Sequence, residues 1–130
     1  MKGFDLLAIF ANPEFAKMLW SGVQMTLVVA LASWLLAMTL AVLLLAVRLT
    51  PSALARRGVE GYISYHRNVP TLVQLMLWYF GIAALLPGPV QGWLSEHNAE
   101  AVFAVIGLGL CQAAYFSEDL RSGLRAVPPG

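Results

Sequence analysis

Residues 18–47, MLWSGVQMTLVVALASWLLAMTLAVLLLAV, form an uncharged run of 30 bounded by Lys17 and Arg48. About 20 apolar residues suffice to carry a helix across a ~30 Å hydrocarbon layer, so this run spans with length to spare. The surplus implies tilt, with Trp20 anchored among headgroups, and places a first span at about 20–47.

Two further runs repeat the pattern. Residues 68–95 are uncharged, but Pro87, Gly88 and Pro89 stop a helix early, which sets a second span at 68–86. Pro70 is tolerated in its first turn, where backbone N–H groups have no intrahelical acceptor, and Asn68 is expected to cap that turn. A third span is expected at 101–117, between Glu100 and Glu118. Composition agrees, with 59% apolar and 12% charged residues and a mean hydropathy of +0.72, against roughly 25% charged in soluble domains. The expected fold class is all-α, an integral membrane helical bundle with three transmembrane helices.

A net charge of +1 gives no basic field for nucleic acid, and the single cysteine, Cys111, excludes an intrachain disulfide or a multi-cysteine metal site. Arg48, Arg56, Arg57 and Arg67 fill the first connection, whereas 88–117 holds no Lys or Arg. The positive-inside rule therefore puts that connection in the cytoplasm and the N-terminus outside. Residues 1–17 mix Phe4, Leu7, Ile9, Phe10 and Phe15 with Asp5, Glu14 and Lys17, as an external interfacial segment would, broken at Asn12-Pro13. A cleaved signal peptide fits poorly, because the first apolar run is too short and the next too long.

Ser33, Ala37 and Ala41, and likewise Gly109 and Ala113, recur every four residues. Such smooth stripes let helices approach in lipid, though small residues are also common in any span. Gln74 and Gln112 are amides at membrane depth and serve either a solute pathway or an interhelical hydrogen bond. Near the inner end of span three, Tyr115, Glu118, Arg121 and Arg125 share a face, and Glu118 is spaced to pair with Arg121. His97 with Glu96 and Glu100 reads as a solvated loop rather than a metal site. Ser64 and His66 lack a third orienting group for nucleophilic catalysis. No phosphate-loop Gly-Lys pair is present, so no catalytic, cofactor or metal residue is assigned.

Three ordered blocks add a resemblance: Trp20-x-Gly22-x-x-x-Thr26-Leu27, then Arg67-Asn68-Val69-Pro70-Thr71-Leu72-Val73-Gln74, then Tyr115-x-x-Glu118-x-x-Arg121-x-Gly123. With Tyr79-Phe80-Gly81, they resemble the permease subunits of polar amino-acid ABC importers of the histidine/glutamine/glutamate type, with a lean toward glutamate/aspartate. The family motif falls on Arg67, Asn68, Pro70, Arg121 and Gly123. The resemblance implies that 18–130 is the N-terminal part of an importer transmembrane domain, which in the family continues past the position of Gly130 into a Glu-Ala-Ala loop and two more spans. It further implies a multi-pass protein of the bacterial inner membrane, with a periplasmic N-terminus and the end of this chain cytoplasmic. The implied partners are a cytoplasmic ABC ATPase, a second permease subunit, a periplasmic amino-acid-binding protein and membrane lipid, with ATP hydrolysis confined to the ATPase. A small membrane scaffold, using the small-residue stripes for contacts, is the alternative.

Overall fold

Asn12 and Pro13 set the first boundary. The Asn12 side chain accepts from the Glu14 N–H at 3.0 Å, and Pro13 occupies the first helical position, where its missing N–H costs nothing. The computed structural model describes residues 6–130. Positions 1–5, including Phe4 and Asp5 of the expected interfacial segment, lie outside the described residues. Helix α1 is Leu6–Ala11, and α2 is Pro13–Arg48, 36 residues without a break, or ~54 Å long. Glu14, Phe15 and Lys17 of the expected interfacial segment ride on the first turns of α2, because nothing after Pro13 interrupts the helix.

The connection after Arg48 is itself helical. Ser52 caps α3, Ala53–Asn68, by accepting from Ala55 N–H at 3.3 Å. Its inward face is Val59, Ile63 and His66, at helical spacing, and its arginines are exposed. Pro70 then forces Val69 into extended backbone, and the chain turns by 103° into Thr71–Leu85. Helix α4 is Thr71–Met76, followed by a π-helical stretch, Leu77–Ile82, and α5, Ala83–Leu85. Asn68 does not cap this unit, as the sequence led one to expect; it ends α3, and its Nδ2 donates to Ser64 Oγ at 3.1 Å. Pro70, already outside the helix, holds the capping position.

Pro87 stops α5, and α6, Gly88–Glu96, follows immediately. His97 lies exposed in the turn after α6, its Nδ1 2.8 Å from the Trp93 carbonyl oxygen and its ring stacked on Trp93. Asn98, in the left-handed region at φ 57°, caps α7, Ala99–Ala126. The helix of the third span therefore runs well past residue 117, carrying Glu118 and Arg121.

Helices α2 and α7 are each long and apolar enough to cross a membrane, and the bent pair is a candidate for a third crossing. Their packing is inverted relative to a soluble core. On α2 the buried residues are Ser33, Ala37 and Ala41, while Leu31 and Leu35 are 62% and 58% exposed. Small residues form the seam and large apolar ones face outward, which suits hydrocarbon and not water. A Cβ on Gly109 would sit 2.5 Å from Leu36 Cδ2, so the glycine lets α2 and α7 close on each other.

Contacts also fix relative direction. Leu36 meets Gly109 and Arg48 meets Glu118, so α2 and α7 run parallel. Gln74 reaches Cys111, Leu75 and Trp78 border Gly107, and Tyr79 packs on Phe103, so Thr71–Leu85 runs antiparallel to both. The order is one direction, return, and the first direction again.

Candidate functional site

Two features organise the polar chemistry: a buried amide at the bend, and a charged cluster where the end of α2 meets the middle of α3 and the C-terminal part of α7. Gln74 is only 1% exposed. Its Nε2 donates to the carbonyls of Val69 at 2.8 Å and His66 at 3.1 Å. These are carbonyls that the end of α3 leaves without helical donors. With both amide protons so used, Gln74 Oε1 must accept, and it lies 2.5 Å from His66 Nδ1. His66 is thereby held as the Nδ1–H tautomer. Gln74 closes the end of one helix from the first turn of the next.

The same device recurs. Gln91 stands four residues after Pro87, as Gln74 does after Pro70. Its Nε2 donates to the carbonyl five residues back, Leu86, at 2.8 Å. In both cases a proline ends a helix, and a glutamine one turn later satisfies the carbonyls left behind. The buried face of α7 completes the bend: Cys111 Sγ lies 3.3 Å from Thr71 Oγ1, and the Tyr62 hydroxyl donates to Leu110 O at 2.6 Å.

Two turns beyond Cys111 on α7, Glu118 accepts from Arg48 of α2 and forms an ion pair with Arg121 at 3.6 Å. Arg48 also reaches Glu60 of α3 at 3.7 Å. The Arg48 side chain is only 14% exposed, so its compensation matters more than at an open surface. Glu118→Gln is expected to destabilise the bundle by on the order of 1–2 kcal/mol. Denaturation in detergent, compared with the neutral exposed change Asp119→Asn, checks this.

The candidate residues fall into two groups on α7. Glu118 and Arg121 lie on the face packed toward α3, next to the Gln74 site. Gln112, half-buried, and Tyr115, exposed, lie on another face together with exposed Asp119. The Gln112 amide has no hydrogen-bond partner among the described residues, and the Arg67 guanidinium lies over the Tyr115 ring, 5.6 Å from its centre. Gly123 is exposed, and a Cβ there would meet nothing within 4 Å. Asn68 and Pro70 belong to the bend. Ser64 and His66 make separate bonds, to Asn68 and to Gln74.

Arg48 and His66 are the important side chains that sequence reasoning missed. Arg48 counted only as a topological charge, although the inferred topology already put it level with Glu118. His66 was weighed as a catalytic base, although with Val59 and Ile63 it completes the inward stripe of α3.

No protein-family model matches the chain, and no solved structure matches it. Curated proteins do. The glutamate/aspartate import permease protein GltJ of Escherichia coli K12 is 29% identical over 95% of this chain and 52% of its own length. The nopaline transport system permease protein NocM of Agrobacterium fabrum is 33% identical over 90% and 48%. The probable amino-acid permease protein YxeN of Bacillus subtilis is 45% identical over 53% and 28%. The chain thus spans about half the length, or less, of these relatives. Together with the spanning helices, these matches make the chain a homologue of the permease subunits of polar amino-acid ABC importers.

Proposed function

We propose that this chain forms part of the translocation path of a polar amino-acid importer, with glutamate and aspartate as the leading substrates. The observation that carries the reading is the similarity to amino-acid permeases along 95% of the chain, GltJ among them. The alternating directions of α2, Thr71–Leu85 and α7 support it, since a path across a bilayer needs such a bundle. In this reading the chain acts with a cytoplasmic ABC ATPase, a second permease subunit and a periplasmic binding protein, and itself hydrolyses nothing. Nucleotide on one side and loaded binding protein on the other would bias two conformations of the membrane part.

The third face of α7 is the natural place for the path or for the second permease subunit. The other two faces are taken, one by α2 and one by α3 and α4. Gln112, Tyr115 and Asp119 therefore stand where a further surface must come. Gln74, with its amide fully bonded, holds the bend and does not meet the solute in this conformation. We place the α3 connection in the cytoplasm and α6 in the periplasm, following the arginines of α3. The scaffold alternative loses its main support, because the small-residue stripes of α2 and α7 are used against each other within the chain.

In the assembled importer, Gln112→Leu is expected to lower ATP-dependent uptake of labelled glutamate severalfold while leaving the melting temperature unchanged. Uptake into proteoliposomes carrying all subunits measures it. Unaltered uptake in that variant removes Gln112 from the path, and absence of ATP-dependent uptake by the unaltered assembly for any polar amino acid overturns the reading.

A further inference from the structure

The arginines at the cytoplasmic end do more than pair with carboxylates. A cleft of about 320 Å³ opens between the ends of α2, α3 and α7, lined by Arg48, Arg56, Arg121 and Arg125 against one carboxylate, Glu60. Each helix contributes residues one turn apart: Leu45, Arg48 and Leu49 from α2, Arg56 and Glu60 from α3, and Arg121, Leu124 and Arg125 from α7. Arg48 and Arg121 are engaged by Glu118. Arg56 and Arg125 are exposed and have no carboxylate partner among the described residues. The cleft therefore keeps a positive surplus facing outward.

Its other wall is greasy. Leu45, Leu49 and Leu124 line the same cleft, and Leu49 and Leu124 are 69% and 54% exposed. The cleft also sits at the level where the uncharged run of α2 gives way to Arg48, that is, at the boundary between hydrocarbon and headgroups. Guanidiniums beside an apolar wall at that depth match one chemistry: a phosphodiester with acyl chains attached. A small soluble anion would use the arginines and leave the leucines wet.

We propose that this cleft binds an anionic phospholipid, the phosphate held by Arg56 and Arg125 and one acyl chain laid against Leu45, Leu49 and Leu124. The site joins the ends of three helices through one headgroup, and it does not depend on the chain being an importer, only on its lying in a membrane.

The test is native mass spectrometry of the chain in detergent, offered phosphatidylglycerol or phosphatidylcholine with identical acyl chains. Phosphatidylglycerol is expected to be retained about tenfold better. The double change Arg56→Gln with Arg125→Gln should abolish that preference. Arg57→Gln, which removes one charge from α3 outside the cleft, should leave it within about twofold. Excess inorganic phosphate should not displace the lipid. Equal retention of the two lipids by the unaltered chain overturns the proposal without any variant. So does an equal effect of Arg57→Gln, or displacement by inorganic phosphate, which would mark a simple anion site.

Discussion

Gln74→Leu is expected to destabilise the bundle by about 3 kcal/mol, because it strands three polar groups at once. The carbonyls of Val69 and His66 lose their donors, and the His66 ring N–H loses its acceptor. A leucine fills similar volume, so the loss reports hydrogen bonding rather than a cavity. Gln74→Glu is expected to be at least as harmful at neutral pH. Its carboxylate still accepts from His66 but faces two carbonyl oxygens with no proton to offer. Gln91→Leu, at the exposed copy of the same device, should cost less, since water reaches the carbonyls it abandons. Thermal or chemical denaturation in detergent ranks the three, and a Gln74→Leu chain as stable as the parent would refute the assigned role.

The second large effect is expected at Gly109. Leucine there would drive its Cβ to 2.5 Å from Leu36 Cδ2, 2.8 Å from Cγ and 3.1 Å from Cβ, so rotating the end of Leu36 does not make room. Overpacking of this kind costs about 1–3 kcal/mol and here would spread α2 from α7. Leu36→Ala should restore much of the loss, with a coupling of at least about 1 kcal/mol in a double-mutant cycle. Gly107→Ala is expected to be milder, because its 2.7 Å contact is with the tip of the Leu75 side chain, which can turn away. Additive effects of Gly109→Leu and Leu36→Ala would mean that the two helices do not meet there.

The membrane character of the chain is legible in its sequence because hydrocarbon imposes a simple rule: a spanning backbone must bond to itself, so apolar runs of sufficient length become helices. The run at 18–47 and the Pro87 stop follow from that rule. The bend at Pro70 does not. A proline fits the first turn of a continuing span as well as a fresh start after a sharp turn, and only the tertiary contacts of Gln74 distinguish the two. Helix α3 carried a readable signal in Ser52 and the Val59, Ile63, His66 spacing, obscured by arginines that also mark a cytoplasmic loop. Glu118 was read with Arg121, three residues away, whereas its other partner, Arg48, is 70 residues distant. Such pairings follow from helix packing, which in lipid depends on small-residue seams rather than on hydropathy. Of the candidate site, Gln74, Gln112, Tyr115, Glu118 and Arg121 stand out in the sequence; the parts of Arg48 and His66, and the division into a packed group and an open group, do not.

The central claim is that α2 and α7 cross a bilayer in one direction, with Thr71–Leu85 returning between them, so that α3 and α6 lie on opposite sides. Single cysteines at Arg57 on α3 and at Ser95 on α6, placed in a chain whose buried Cys111 has been replaced by alanine, test it with a membrane-impermeant maleimide. In intact cells Ser95→Cys should label at once and Arg57→Cys only after the membrane is opened. Labelling of both positions from the same side would contradict the account.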